Sequence, residues 1–417
     1  MWNTFNQLIC FHRQQGVKQL LSSRESKRNL IRALIILIAL ISGIQLATSS
    51  GRAMNIYQPP LESFDQNVNY IQGTKTEKEL TQLMKNRHFI GTVTLVKNNH
   101  LIYQQGFGYA NQTQGLMNSG KVTYQIASIQ KSMTAVLLMK TAAEKHFSLD
   151  TPVSKFYPQI QGANLITLRN LLTMTSGIAD QRSIKKPAND RQFLQYTVNK
   201  VKINPQMIGQ LHYQPVNFVL LAGIIQRENQ MSYYKYFEQN IIKPLGLRYS
   251  YFYQNMNKYR AVQAQGYHFN PQKPINPQKP TAYVPFKEKQ AGYDEQLGTG
   301  NLYMSNGDLY QTLRAFMTSK ILTPRQTAAL YSPGKTRSTY LSGVYSIRQT
   351  VPQLLGQQYS GYHFHGTEFG FDTIGDISKN GADAVIFTSN AANYGANNNY
   401  SLDIPIYKQL IDDSQIF

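Results

Sequence analysis

Cysteine is almost missing from this chain of 417 residues: Cys10 stands alone. A lone thiol excludes an intramolecular disulfide and any cysteine-based metal site. Acidic residues are scarce too, 22 against 42 basic ones, which leaves a formal net charge of +20. That surplus favours an anionic partner: nucleic acid, an anionic lipid surface or a wall polyanion. The chain has no motif that reads DNA or RNA, and its bases are scattered rather than clustered, so nucleic acid is the weakest of the three. No internal repeat of fixed period is present. The uncharged run Ala33 to Ile44, extendable to Ala47, falls short of the roughly 20 residues that span a bilayer comfortably.

Bases precede that run: Arg13, Lys18, Arg24, Lys27, Arg28 and Arg32, against Glu25. The positive-inside rule then keeps 1–32 in the cytoplasm and sends everything after the run outside. The reading is a single-pass membrane anchor over 33–48. A secretory signal cleaved near small Ala47 and Ser49 is the alternative. Residues 49–75, rich in Ser, Gln, Asn and Pro, read as an extracellular linker, and 76–417 as the folded domain. With 41% hydrophobic residues, that part of the chain can bury a large core.

The segment Tyr124 to Leu138 carries the chemistry. It sets Ser128 and Lys131 three residues apart at the start of an apolar helix. Positions i and i+3 share a helix face, so the lysine amine reaches the serine hydroxyl. A serine hydroxyl is a weak nucleophile until a neighbouring base takes its proton, and a lysine can be that base. The first turn of a helix adds backbone N–H groups and a partial positive charge for a developing oxyanion. Alone, such a pair is more often a capping serine beside a solvated lysine. Upstream, Phe89 to Tyr109 reads as a hairpin turning at Asn98-Asn99-His100. The middle, 140–320, reads as helices with polar loops, of which Pro205 to Gln210 and His268 to Lys287 are the most loop-rich. Strands are expected at 338–348, 359–365, 370–378 and 384–388, and a helix from Ser401 to Asp412. Strands at both ends with helices between them predict one sheet built from the two chain ends and a helical lobe inserted between them.

Together these segments resemble the serine β-lactamase and penicillin-binding protein superfamily, in its class C-like and D-alanyl-D-alanine carboxypeptidase branch. Phe147 to Ser154 resembles the Leu-Asp-x-Pro-Val segment. Ile166 to Ile178 resembles the Leu-Leu-x-His-Thr-Ser-Gly stretch, with Met174 in the histidine slot. Ile242 to Leu247 and Gly298 to Asp308 match further landmarks. The resemblance implies an α/β (α+β) fold, an antiparallel sheet flanked by helices plus an inserted all-helical lobe. It implies Ser128, Lys131 and Tyr213 as catalytic residues, Tyr213 standing in the family's Tyr-x-Asn motif with Pro215 in place of the asparagine. The third motif, Lys-Thr-Gly, falls on Phe364-His365-Gly366. Gly366 and Thr367, with His365 or His363, are the implied oxyanion and substrate residues, the Thr367 N–H joining that of Ser128. Strand alternation puts His363 and His365 on one face. A His-x-His pair also suits a metal, but no third ligand is visible. Neither metal nor cofactor is implied.

Both departures bear on substrate. An asparagine would serve a peptide amide, and a lysine would serve a terminal carboxylate. A D-alanyl ester of teichoic acid needs neither, since its carboxyl is esterified and its free group is an amine. The expectation is therefore an extracellular, membrane-anchored serine esterase that removes D-alanyl esters from (lipo)teichoic acid, its anionic partner in the cell envelope. The alternatives are a D,D-carboxypeptidase or weak β-lactamase, and a non-catalytic wall-binding protein.

Overall fold

A computed structural model describes residues 64–391 and 403–416, apart from 180–183, 185, 269–283, 288, 337, 348–358 and 415. Its centre is a seven-stranded antiparallel sheet assembled from both ends of the chain. The N-terminal end supplies β1 (Val68–Asn69), β2 (Gly91–Lys97) and β3 (His100–Phe107). The C-terminal end supplies β4 (Tyr345–Ser346), β5 (Gly361–Glu368), β6 (Phe371–Ser378) and β7 (Ala384–Ser389). The strand order is β1-β3-β2-β7-β6-β5-β4. Asn98 and Asn99 both take left-handed backbone angles, φ 51° and 67°. A two-residue turn with both φ positive matches the twist of its flanking strands, and asparagine tolerates it, so the β2–β3 hairpin closes there.

Helices cover both faces, which is why β6 and β7 are buried along their whole length. On the outer face lie α1 (Lys75–Asn86) and α5 (Asp403–Asp412), which bury Leu80, Met84, Ile406 and Leu410 against Val93, Leu95, Val385 and Phe387. The Thr74 hydroxyl caps α1 by accepting from the Glu77 N–H. On the inner face lie α2 (Gln130–Glu144), α3 (Val216–Asn229) and α4 (Asn306–Met317). α2 and α3 are buried nearly all round because the inserted lobe packs over the sides away from the sheet. Burying each Leu, Ile or Val of α3 contributes roughly 1.5–3 kcal/mol.

Three expectations change. The fold begins ahead of residue 76: Phe64 and Ile71 are buried, and β1 pairs with β3 inside the stretch expected to be linker. The Gln104 amide ties that segment down by donating to Phe64 O and Gln66 O at 2.7 and 2.8 Å. Pro205 does not sit in a loop but in a strand, Lys202–Ile208, paired with Ser176–Ala179 through an irregular register. A proline is tolerated where its missing N–H is not required by the ladder. The strand expected over 338–348 shrinks to Tyr345–Ser346. Gly343 turns the chain back there with φ 101°, and a Cβ on it would lie 2.4 Å from Ser132 N of α2.

Among the described residues, no helix is long and apolar enough to cross a membrane. The run from Ala33, and the expected segments 1–32 and 33–48, lie outside them.

Candidate active site

Ser128 is placed by three neighbours. Tyr124–Gln125 pairs with Leu302–Met304, and the Ile126 N–H reaches Leu302 O at 3.0 Å. Ala127 then takes a left-handed conformation, φ 47°. That costs an L-residue about 1 kcal/mol and is least unfavourable with a side chain this small. The turn Ala127–Ile129 leads into α2 with no side-chain cap. Against it lies Gly366 of β5. A Cβ there would fall 2.2 Å from Ile126 O and 2.7 Å from Ser128 N, so glycine is what lets the strand approach the nucleophile's backbone.

Lys131 is buried, and its Nζ lies 2.7 Å from Ser128 Oγ and 3.2 Å from Thr299 O. The ring of Tyr213 lies 5.3 Å from that Nζ and meets Tyr340 edge-on at 5.6 Å. The loop carrying Tyr213 is held by Met174, whose carbonyl accepts from the His212 N–H at 2.8 Å. Pro215 opens α3, and Asn217 faces inward, accepting from Ser176 Oγ at 2.6 Å.

Ser128 and Lys131 line a cavity of about 300 Å³ with Phe193, Pro215, Gln296, Thr299 and Phe369. Two carboxylates, Glu295 and Glu368, line it as well. Burial raises the Glu368 carboxyl above its ordinary range, Lys131 pulls it back, and Glu295 pushes it up again. Lys131 is the one cation among the described residues lining this cavity. A larger cleft of about 1370 Å³, between Asp190, Tyr234, Tyr253 and Asp294, holds neither Ser128 nor Lys131.

The strand register separates the other candidate residues. Along β5, Phe364, Gly366 and Glu368 point toward the Ser128 side, while His363, His365 and Thr367 point away. Phe364 is fully buried in the inner core. His365 Nε2 pairs with Asp372 at 2.7 Å. His363 Nδ1 lies 2.9 Å from Asp376 and 3.2 Å from Asp403, beneath α5. Neither histidine lines the cavity, because each is held by a carboxylate of the opposite face. Ser128, Lys131 and Gly366 are brought together, with Tyr213 beside them. Thr367 continues the strand with an exposed side chain, leaving its backbone as the part that can serve substrate. Glu295 and Glu368 were missed by sequence reasoning. Stepping by two from Gly366 would have found Glu368, whereas Glu295 comes from a distant segment and carries no local signal.

The histidine cluster has a pH signature. Burial alone would push the His363 imidazolium down, yet Asp376 and Asp403 raise it to about 10. Burial, aided by the Asp403 charge, pushes Asp376 up to about 8. Both groups bind protons more tightly folded than unfolded. Their stabilisation is therefore lost as pH rises, for Asp376 up to 8 and for His363 from 6.5 to 10. The melting temperature should fall across that window, and Asp376→Asn, which removes one of the two groups and a charge that raises the other, should flatten the slope. An unchanged slope in the variant would show that the decline arises elsewhere.

Comparison with known proteins places this geometry. A family model described as Beta-lactamase matches residues 76–396. PbpX of Bacillus subtilis (strain 168), whose name classes it with the penicillin-binding proteins, is 27% identical over 324 residues, spanning 78% of this chain and 76% of its own. A teichoic acid D-alanine hydrolase of Staphylococcus aureus (strain MRSA252) is 26% identical over 282 residues, spanning 67% of this chain and 68% of its own. Two solved structures share the fold. FmtA from Staphylococcus aureus has a TM-score of 0.68 at 23% identity, with 84% of this chain and 92% of that one covered. D-amino acid amidase from Ochrobactrum anthropi SV3 has a TM-score of 0.64 at 18% identity, with 82% and 100% covered.

Proposed function

This chain belongs to the Beta-lactamase family and is a serine-hydrolase relative of its members, and from that premise we propose that it is a D-alanyl esterase acting on (lipo)teichoic acid. The observation that carries the reading is the 2.7 Å approach of Lys131 Nζ to Ser128 Oγ, in a cavity whose other charged groups, among the described residues, are carboxylates. The named activity of the Staphylococcus aureus relatives supports the substrate class. The apolar run from Ala33, with bases before it, supports a place on the outer membrane face, where a chain of net charge +20 would meet a polyanion.

In this mechanism the Lys131 amine accepts the Ser128 proton as Oγ attacks the D-alanyl carbonyl carbon. The oxyanion of the tetrahedral intermediate is held by the N–H groups of Ser128 and Thr367. The ester C–O bond breaks, and the polyol oxygen leaves with a proton delivered from Lys131 through the Tyr213 phenol. Water then attacks the D-alanyl-enzyme, Lys131 takes its proton, and D-alanine leaves as Ser128 regains its hydrogen. Incubating the full chain with D-alanylated lipoteichoic acid and following free D-alanine tests the reading directly. No release above that of the Ser128→Ala protein would reject it.

Tyr213→Phe should lower kcat by about 100-fold, within the usual range for a lost acid–base group, with little change in KM. Stopped-flow measurement of alcohol release reads that step. Full activity in the variant would reduce Tyr213 to a packing partner of Tyr340 and leave the proton to Lys131 or water.

A further inference from the structure

The two glutamates are unexplained by the nucleophile's chemistry. Glu368 is brought to the cavity by strand alternation: Gly366 touches the Ser128 turn, and the next residue on the same face is Glu368. Glu295 reaches the same space from the end of the short helix Gln290–Asp294, and its carboxylate accepts from the Ile184 N–H. Glu368 feels both Lys131 and Glu295, so the three charges share one small volume. Two partly buried carboxylates beside the single Lys131 amine leave an excess of negative charge whether or not that amine is protonated. That excess repels an anionic acyl group and attracts a cationic one.

We propose that Glu368, with Glu295 beside it, forms the subsite that receives the α-ammonium of the aminoacyl group carried to Ser128. The proposal rests on the aminoacyl-esterase reading and names the residues that select its acyl group. The distances agree. In an α-amino acid the nitrogen lies about 2.5 Å from the carbonyl carbon, and a charge-assisted N–H···O bond adds about 2.8 Å. A carboxylate about 5 Å from the attacked carbon therefore meets the ammonium. Residues two apart on a strand are separated by about 6.6 Å, so the Glu368 side chain, one step from Gly366, has the required reach. Glu295, already engaged by the Ile184 N–H, acts as the weaker second acceptor.

The test compares two 4-nitrophenyl esters that differ only in the ammonium, D-alanyl and propionyl, each corrected for spontaneous hydrolysis. The full chain should favour the D-alanyl ester in kcat/KM by on the order of 100-fold, the scale of one well-made charge contact. In Glu368→Gln that preference should fall at least tenfold, the loss being carried by the D-alanyl ester. Glu295→Gln should act in the same direction and more weakly. Both substitutions keep shape, and glutamine at 295 still offers an oxygen to Ile184, so misfolding does not obscure the ratio. A wild-type protein without preference overturns the subsite while leaving the esterase intact. A Glu368→Gln protein that slows on both esters equally also overturns it, and makes Glu368 a general base or a structural group. If neither ester is cut and Ser128 takes no fluorophosphonate label, the esterase reading fails and the subsite fails with it.

Discussion

Ser128→Ala should yield a folded protein that no longer releases D-alanine from any substrate, a loss of at least about 1000-fold in kcat. The size follows from the position. Ser128 Oγ is what Lys131 Nζ addresses at 2.7 Å, and among the described residues lining the cavity Thr299 is the only other that carries a hydroxyl. Thr299 is 4% exposed, and its carbonyl accepts from Lys131 Nζ at 3.2 Å. The fold should survive, because the turn Ala127–Ile129 is entered and closed by backbone hydrogen bonds, Ile126 N–H to Leu302 O and Ile129 N–H to Ile126 O, that do not involve the hydroxyl. The melting temperature should stay within a few degrees of the parent, since removing one part-buried hydroxyl changes stability by about 1 kcal/mol. A fluorophosphonate label should mark the parent and not the variant. Turnover retained in the variant would move the nucleophile elsewhere and dissolve the Ser128–Lys131 assignment.

What was legible in the sequence and what was not divides on physical grounds. The Ser128–Lys131 pair is local: a spacing of three on a helix fixes the contact whatever surrounds it. The β2–β3 hairpin is local too, since two asparagines at the turn announce positive φ. Gly366 is readable by its distance to Gly370 in the family pattern. The closing helix was expected over Ser401 to Asp412 from its spacing, and what it covers was not. Misreadings arose where tertiary structure decided. Pro205 looks like a loop residue but joins a short strand whose partner, Ser176–Ala179, lies far back in the chain. The stretch before residue 76 looks like polar tether, because Phe64 and Ile71 are isolated among Gln and Asn, yet the Gln104 amide and β3 draw them in. His363 and His365 were grouped correctly on one face, but the choice of face depends on Asp372, Asp376 and Asp403, which become neighbours only in the folded sheet. The same alternation, continued from Gly366, leads to Glu368.

D-alanylated lipoteichoic acid should lose D-alanine at least 100-fold faster than a pentapeptide ending in D-alanyl-D-alanine, at equal enzyme concentration. The peptide brings a terminal carboxylate into a cavity whose one described cation, Lys131, is committed to Ser128. Where a lysine would meet that carboxylate, Phe364 is fully buried in the core. His365 is not a substitute, since it points to the other face and pairs with Asp372. The peptide amide fares no better. Pro215 has no side-chain amide to offer, and Asn217, two residues on, spends its own on Ser176 and on the Gln214 carbonyl at 2.8 Å. Burying the carboxylate without a partner costs several kcal/mol, which alone exceeds a hundredfold in rate. Penicillins carry the same carboxylate and should acylate Ser128 poorly for the same reason. The ester lacks that group, presents an easier bond to break, and carries an ammonium that Glu295 and Glu368 attract rather than repel. Measuring free D-alanine from both substrates decides the matter. Equal or faster cleavage of the pentapeptide would mean that some cation outside the described lining reaches the carboxylate, and the chain would then be a D,D-carboxypeptidase.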